Sequence, residues 1–104
     1  MEITIQTPDI HVTQKIKNKI SRKLENVCKL YDRITACEVT LLEEKNEEQM
    51  NCCIEIRILV PGQALFTRQR GPTFESALSK TALAMKHQLQ KYKERYQNMN
   101  HLSL

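Results

Sequence analysis

Residues 37–58 read CEVTLLEEKNEEQMNCCIEIRI, and this stretch decides the fold. Cys37, Val39 and Leu41 alternate with polar neighbours, as do Cys52, Ile54, Ile56 and Ile58. A period of two is that of a strand with one buried face. Glu43 to Glu48 is too charged to bury, so it reads as the connection of a hairpin. Two antiparallel strands with one greasy face need a layer to cover that face, and the flanking sequence supplies it.

Upstream, the apolar positions Ile16, Ile20, Leu24, Val27 and Tyr31 are spaced by four, four, three and four, one stripe of an amphipathic helix. Thr13 is its expected N-cap. Before it, Glu2 to Thr7 alternates from the start, with Ile3 and Ile5 on one face, and reads as a first strand, not as a cleaved signal. Downstream, Pro61-Gly62 marks a turn, and residues 63–69 form a fourth strand. Its pattern leaves open whether Leu65 and Thr67, or Phe66 and Arg68, face the core. Gly71-Pro72 ends the sheet and Thr73 can cap a long helix. The stripe of that helix is Phe74, Leu78, Ala82, Met85, Leu89, Tyr92 and Tyr96. Glu75 is favourably placed in its first turn. The expected organisation is one α+β domain over residues 1–96 in the order β-α-β-β-β-α, with a short, polar, frayed tail at 97–104. Both helices cover one face of a four-stranded sheet, and the other face, with Glu38, Thr40, Glu55 and Arg57, meets water.

Length and composition narrow the function. The chain has 104 residues, enough for one modest core, and 40% are hydrophobic. No apolar run approaches membrane-spanning length, so a cytoplasmic protein without a membrane partner is expected. Cys28, Cys37, Cys52 and Cys53 form no C-x-x-C pair. They read as small buried hydrophobes plus one exposed thiol, with no metal site and no disulfide framework. With two glycines there is no phosphate-cradling loop, and no local signature joins a cysteine to a histidine. The expectation is a non-enzyme with no cofactor and no small-molecule substrate.

The charge distribution carries more. Net charge is +4. Residues 11–33 hold seven cations against Glu25 and Asp32, and residues 68–95 hold seven against Glu75 and Glu94, each a net of +5. Residues 38–56 hold six glutamates against Lys45, a net of −5. Neighbouring helices would bring the basic segments together and leave the acid on the sheet, an electrically two-sided molecule. Lys15, Lys19, Arg22 and Lys29 lie to one side of the first helix's stripe, with Lys23 at its edge. On the last helix, Lys80, His87, Lys91 and Arg95 form a ridge, while Lys86 and Lys93 flank the opposite edge. Ridges of this kind suit a phosphate-lined surface, because each cation displaces condensed counterions. A merely solvated helix face is the plain alternative, and the segregation of the glutamates argues against it.

With these features in place, three stretches resemble one family. They are Lys23-Leu24 followed by Leu30-Tyr31-Asp32-Arg33-Ile34, then Phe74-Glu75-Ser76-Ala77-Leu78, then Gln88-Leu89-Gln90-Lys91-Tyr92-Lys93. Their order and spacing over residues 1–96 are similar to those of the ribosome hibernation-promoting factor and ribosome-associated inhibitor family. The resemblance implies a fold akin to double-stranded-RNA-binding domains. It implies binding to small-subunit ribosomal RNA at the decoding region, where mRNA and tRNA would otherwise sit. Carried over by position, the contacting groups are Lys23, Lys91 and Lys93. Charge geometry adds Lys19, Arg22, Lys80, Lys86, His87 and Arg95. The chain departs from the family pattern at Ala84, where a basic residue is usual, at His87, where arginine is usual, and at Thr73, where aspartate is usual. Its end near Leu104 implies that the dimerisation domain of long members is absent. Two other readings compete. A non-ribosomal RNA-binding module of similar fold would share charge and topology. An adaptor for an acidic protein would need an exposed apolar anchor among the charges, and none is expected beyond the core stripes.

Overall fold

The computed structural model describes residues 2–8, 10–45 and 50–102, with the backbone alone for residue 50 and residues 96–102. The elements follow the expected order: β1 (Glu2–Gln6), α1 (Gln14–Cys28), β2 (Ala36–Lys45), β3 (Met50–Val60), β4 (Gln63–Gly71) and α2 (Phe74–Leu102). The strands lie in the order β1-β2-β3-β4. β1 runs parallel to β2, as a strand returning through a crossover helix must, and the other pairs are antiparallel.

Helix α1 starts where the sequence places it, with Ile16 N–H donating to the Thr13 hydroxyl at 3.3 Å. Thr73 does the same for α2, accepting from Ser76 N–H at 3.1 Å. Ile20, Leu24, Val27 and Tyr31 are buried, as are Leu78, Ala82, Met85, Leu89 and Tyr92. They cover Val39, Leu41, Ile54, Ile56 and Ile58, all fully buried, so the helices and one sheet face form a single core. The Tyr31 and Tyr92 rings meet edge to face, with centroids 5.4 Å apart. Both tyrosines are therefore core residues.

The Pro61-Gly62 turn settles the fourth strand. Gly62 has φ +84°, which only a residue without Cβ adopts at no steric cost. The two-residue loop pairs Val60 with Gln63, and hence Ile58 with Leu65 and Ile56 with Thr67. Cross-strand partners share a face, so Leu65 and Thr67 point inward and Phe66 and Arg68 outward.

Three expectations need correction. Glu43, Glu44 and Lys45 are not loop but the end of β2, paired with Cys52, Asn51 and Met50. A strand end beside solvent tolerates charge, and the connection itself, residues 46–49, lies outside the described residues. The last helix also runs past the expected end of its stripe at Tyr96, continuing through Leu102. Nothing between residues 73 and 102 is Gly or Pro, so no helix breaker interrupts it. Finally, no thiol is fully exposed. Cys28, Cys37 and Cys53 are buried and Cys52 is half-buried. Cys53 lies on the open face of the sheet, where the Arg68 Nε–H donates to its sulfur at 3.1 Å.

Candidate nucleic-acid interface

The open face of the sheet is a network of paired charges. Arg68 bonds Glu44 and lies 3.8 Å from Glu55, Arg70 reaches Glu44 at 2.9 Å, and Arg57 faces Glu38 at 3.9 Å. Three arginines meet three glutamates, so this face is close to neutral. The two-sided picture shifts accordingly. Arg68 and Arg70 belong to the open face, and α2 from Phe74 to Arg95 holds five cations against two glutamates, a net of +3. α1 holds five cations against Glu25, a net of +4. The helix layer remains the positive one.

Of the nine expected contact residues, Lys19, Arg22, Lys23, Lys80, Lys86, His87, Lys91 and Arg95 are exposed, and Lys93 is half-buried. Three of the nine already have work within the fold. Lys19 Nζ lies 2.7 Å from Glu75, and this pair holds the Glu75 carboxyl below its ordinary pKa. Lys80 donates to the Arg70 carbonyl at 3.0 Å, and Lys93 to the Leu30 carbonyl at 2.9 Å. Arg22, Lys23, Lys86, Lys91 and Arg95 have no such bond among the described residues.

Four of these cations fall into two settings. Lys23 of α1 and Lys86 of α2 line the same groove of about 350 Å³ between the helices. Lys91 and Arg95 line a notch of about 180 Å³ between α2 and the start of β4, with Gln63, Leu65 and Gln88. Gln88 is fixed there by donating to the Phe66 carbonyl at 2.6 Å, and Tyr92 by donating to the Pro61 carbonyl at 2.8 Å. The last helix thus carries basic residues down both flanks, with exposed His87 on the ridge between.

Two large apolar side chains are exposed among the described residues: Leu83, which escaped sequence reasoning, and Phe66, whose face was left open. Leu83 is 56% exposed and lies in the interhelical groove beside Lys23 and Lys86, and Phe66 is 51% exposed on the open face. The expectation of no apolar anchor among the charges is overturned by Leu83. Its position off the α2 stripe was the available signal. Among the described residues no group of three or more His, Cys, Asp or Glu could hold a metal, and no helix is long and apolar enough to cross a membrane.

Comparison with known proteins places this architecture. The chain is 25% identical over 99 residues to a ribosome hibernation promoting factor of Pseudomonas putida, covering 95% of this chain and 93% of that protein. It is 28% identical over 90 residues to a ribosome hibernation promotion factor of Deinococcus radiodurans. That alignment covers 85% of this chain but 47% of the relative, so the chain spans about half of the Deinococcus protein. Among solved structures, a ribosomal subunit interface protein from Coxiella burnetii superposes with a TM-score of 0.79 at 15% identity, covering 90% of this chain and 99% of that one. The N-terminal domain of Thermus thermophilus Protein Y gives 0.70 at 16% identity, covering 88% and 99%. Both structural likenesses are of fold. The family model described as Sigma 54 modulation protein / S30EA ribosomal protein matches residues 3–97, and the chain belongs to that family.

Proposed function

We propose that this protein is a ribosome hibernation factor, a cytoplasmic, non-catalytic binder of the small ribosomal subunit. It docks its helix layer on ribosomal RNA at the decoding region and so blocks the mRNA and tRNA sites. One observation carries the reading beyond family membership. The open-face arginines are all bound to glutamates, whereas Arg22, Lys23, Lys86, Lys91 and Arg95 on the helices have no partner among the described residues. An unpaired surface cation can neutralise a phosphate and release the counterion condensed there, whereas a paired one must first give up its carboxylate. The names of the Pseudomonas and Deinococcus relatives point to ribosome hibernation.

The experiment is sucrose-gradient fractionation of stationary-phase cells, followed by reconstitution with purified small subunits and an mRNA competitor. The protein should sediment with small subunits or whole ribosomes, and prebound mRNA should reduce its binding. Sedimentation only at the top of the gradient would favour an RNA partner other than the ribosome.

A further inference from the structure

Two bonds tie the helices together at separate points. Lys19 of α1 meets Glu75 at the start of α2, and Leu30, just past α1, meets Lys93 well along α2. Earlier residues meet earlier ones, so the helices run in the same direction. Between the two ties their facing sides part into the groove that Lys23 and Lys86 share. Val27, Leu30 and Ala82 give it apolar walls, and exposed Leu83 stands at its side.

We propose that this groove takes one unstacked nucleotide of single-stranded RNA, its base against Leu83 and the apolar walls and its phosphates on Lys23 and Lys86. The inference rests on the RNA-binding reading above and names the form of RNA that the surface selects. Five features favour a nucleotide. Each helix contributes one cation, so negative groups on either side of a flat apolar body would both be met. Among the described residues no carboxylate lines the groove. Asn26, also in the groove, offers both a donor and an acceptor, the two functions a base edge presents. Ser79 donates its hydroxyl to the Glu75 carbonyl at 3.2 Å, which leaves its oxygen free to accept. A volume of about 350 Å³ lies at the small end of small-ligand pockets, roughly 300–1,000 Å³. It can admit a base but not a duplex, whose bases are hidden in the stack. An acidic peptide with an apolar anchor would meet the lysines and Leu83 but leave the base-like pairing of Asn26 unused.

The test compares a short fluorescent single-stranded oligoribonucleotide with the same strand carrying a central abasic site, read by anisotropy on the full chain. Removing the base should weaken binding about tenfold, within the range for a base held on a protein side chain. Ser79→Trp fills the groove without touching a charge and should erase the difference between the two strands. Leu83→Asp, at an exposed position that the fold does not need, should do the same. Equal affinity of the intact and abasic strands for the unaltered protein would overturn the assignment. So would an undiminished difference in both folded variants. Displacement of the RNA by a peptide of alternating glutamate and leucine, with no abasic penalty, would give the groove to a protein partner instead. Pelleting with small subunits runs alongside. If the unaltered protein pellets but shows no abasic penalty, the groove assignment alone fails. If it binds neither subunits nor oligonucleotide, the proposed function fails with it.

Discussion

Lys93 reaches from α2 to donate its ammonium to the carbonyl of Leu30, 2.9 Å away, and so pins the exit of α1 against the last helix. The sequence places Lys93 among the RNA-binding residues, yet its side chain is half-buried and occupied. A substitution there changes the fold's own bonding as well as its charge. Lys93→Met should cost about 1 kcal/mol in urea denaturation, because the Leu30 carbonyl loses a charged donor but stays within reach of water. Lys91→Met should stay within about 0.5 kcal/mol, as exposed substitutions usually do. Equal effects would show that the Lys93 bond contributes nothing.

The Lys19–Glu75 pair has a signed pH dependence. Lys19 lowers the Glu75 pKa, so the pair's contribution is present above the unfolded carboxyl value and is lost as pH falls through the lowered folded value. Both groups are exposed, so added salt should weaken the effect. NMR titration should find the Glu75 carboxyl below the ordinary glutamate range, and Lys19→Met should return it there. An unchanged titration in that variant would assign the shift to another cause.

The thiols should react in order of burial. Cys37 is fully buried, and its hydrogen bond with Cys28, together with burial, pushes its pKa well above the ordinary value. An alkylating reagent applied to the native protein should label half-buried Cys52 first and Cys37 only on unfolding. Cys37→Ser should cost roughly 1–3 kcal/mol by burying a hydroxyl in an apolar site. Replacing all four cysteines by Ala should leave small-subunit binding of the folded protein unchanged.

His87 stands exposed between the two basic flanks of α2. His87→Arg should tighten RNA binding several-fold and steepen the salt slope by about 0.9, the increment for one added phosphate contact. A slope identical to that of the unaltered protein would place His87 away from the RNA.

Much of the architecture was legible because periodicity and burial agree. The stripes Ile20-Leu24-Val27 and Leu78-Ala82-Met85-Leu89 are core, and Thr13 and Thr73 both cap their helices. The face of β4 was not read, since 65/67 and 66/68 each pair an apolar with a polar residue. The two-residue Pro61-Gly62 loop holds that answer through its register. The open-face pairing of Arg68 with Glu44 and Glu55 joins residues far apart in sequence, and only strand register brings them together. The same is true of Lys19 with Glu75. Charge counts along the chain therefore overstated the basicity of the second segment and missed which cations were already bound.

The most direct test is pelleting with small subunits across a salt series, comparing the unaltered chain with a Lys91→Glu, Arg95→Glu variant. These two residues are exposed and have no bond among the described residues, so circular dichroism should match between the proteins. If about five cations meet phosphates, log affinity should fall with log salt at a slope of roughly −3.5 to −4.5, and a fourfold rise in salt should weaken binding on the order of a hundredfold or more. The folded double variant should no longer pellet. Salt-insensitive binding, or full binding by that variant, would contradict the account and leave the helix cations as a solvated surface.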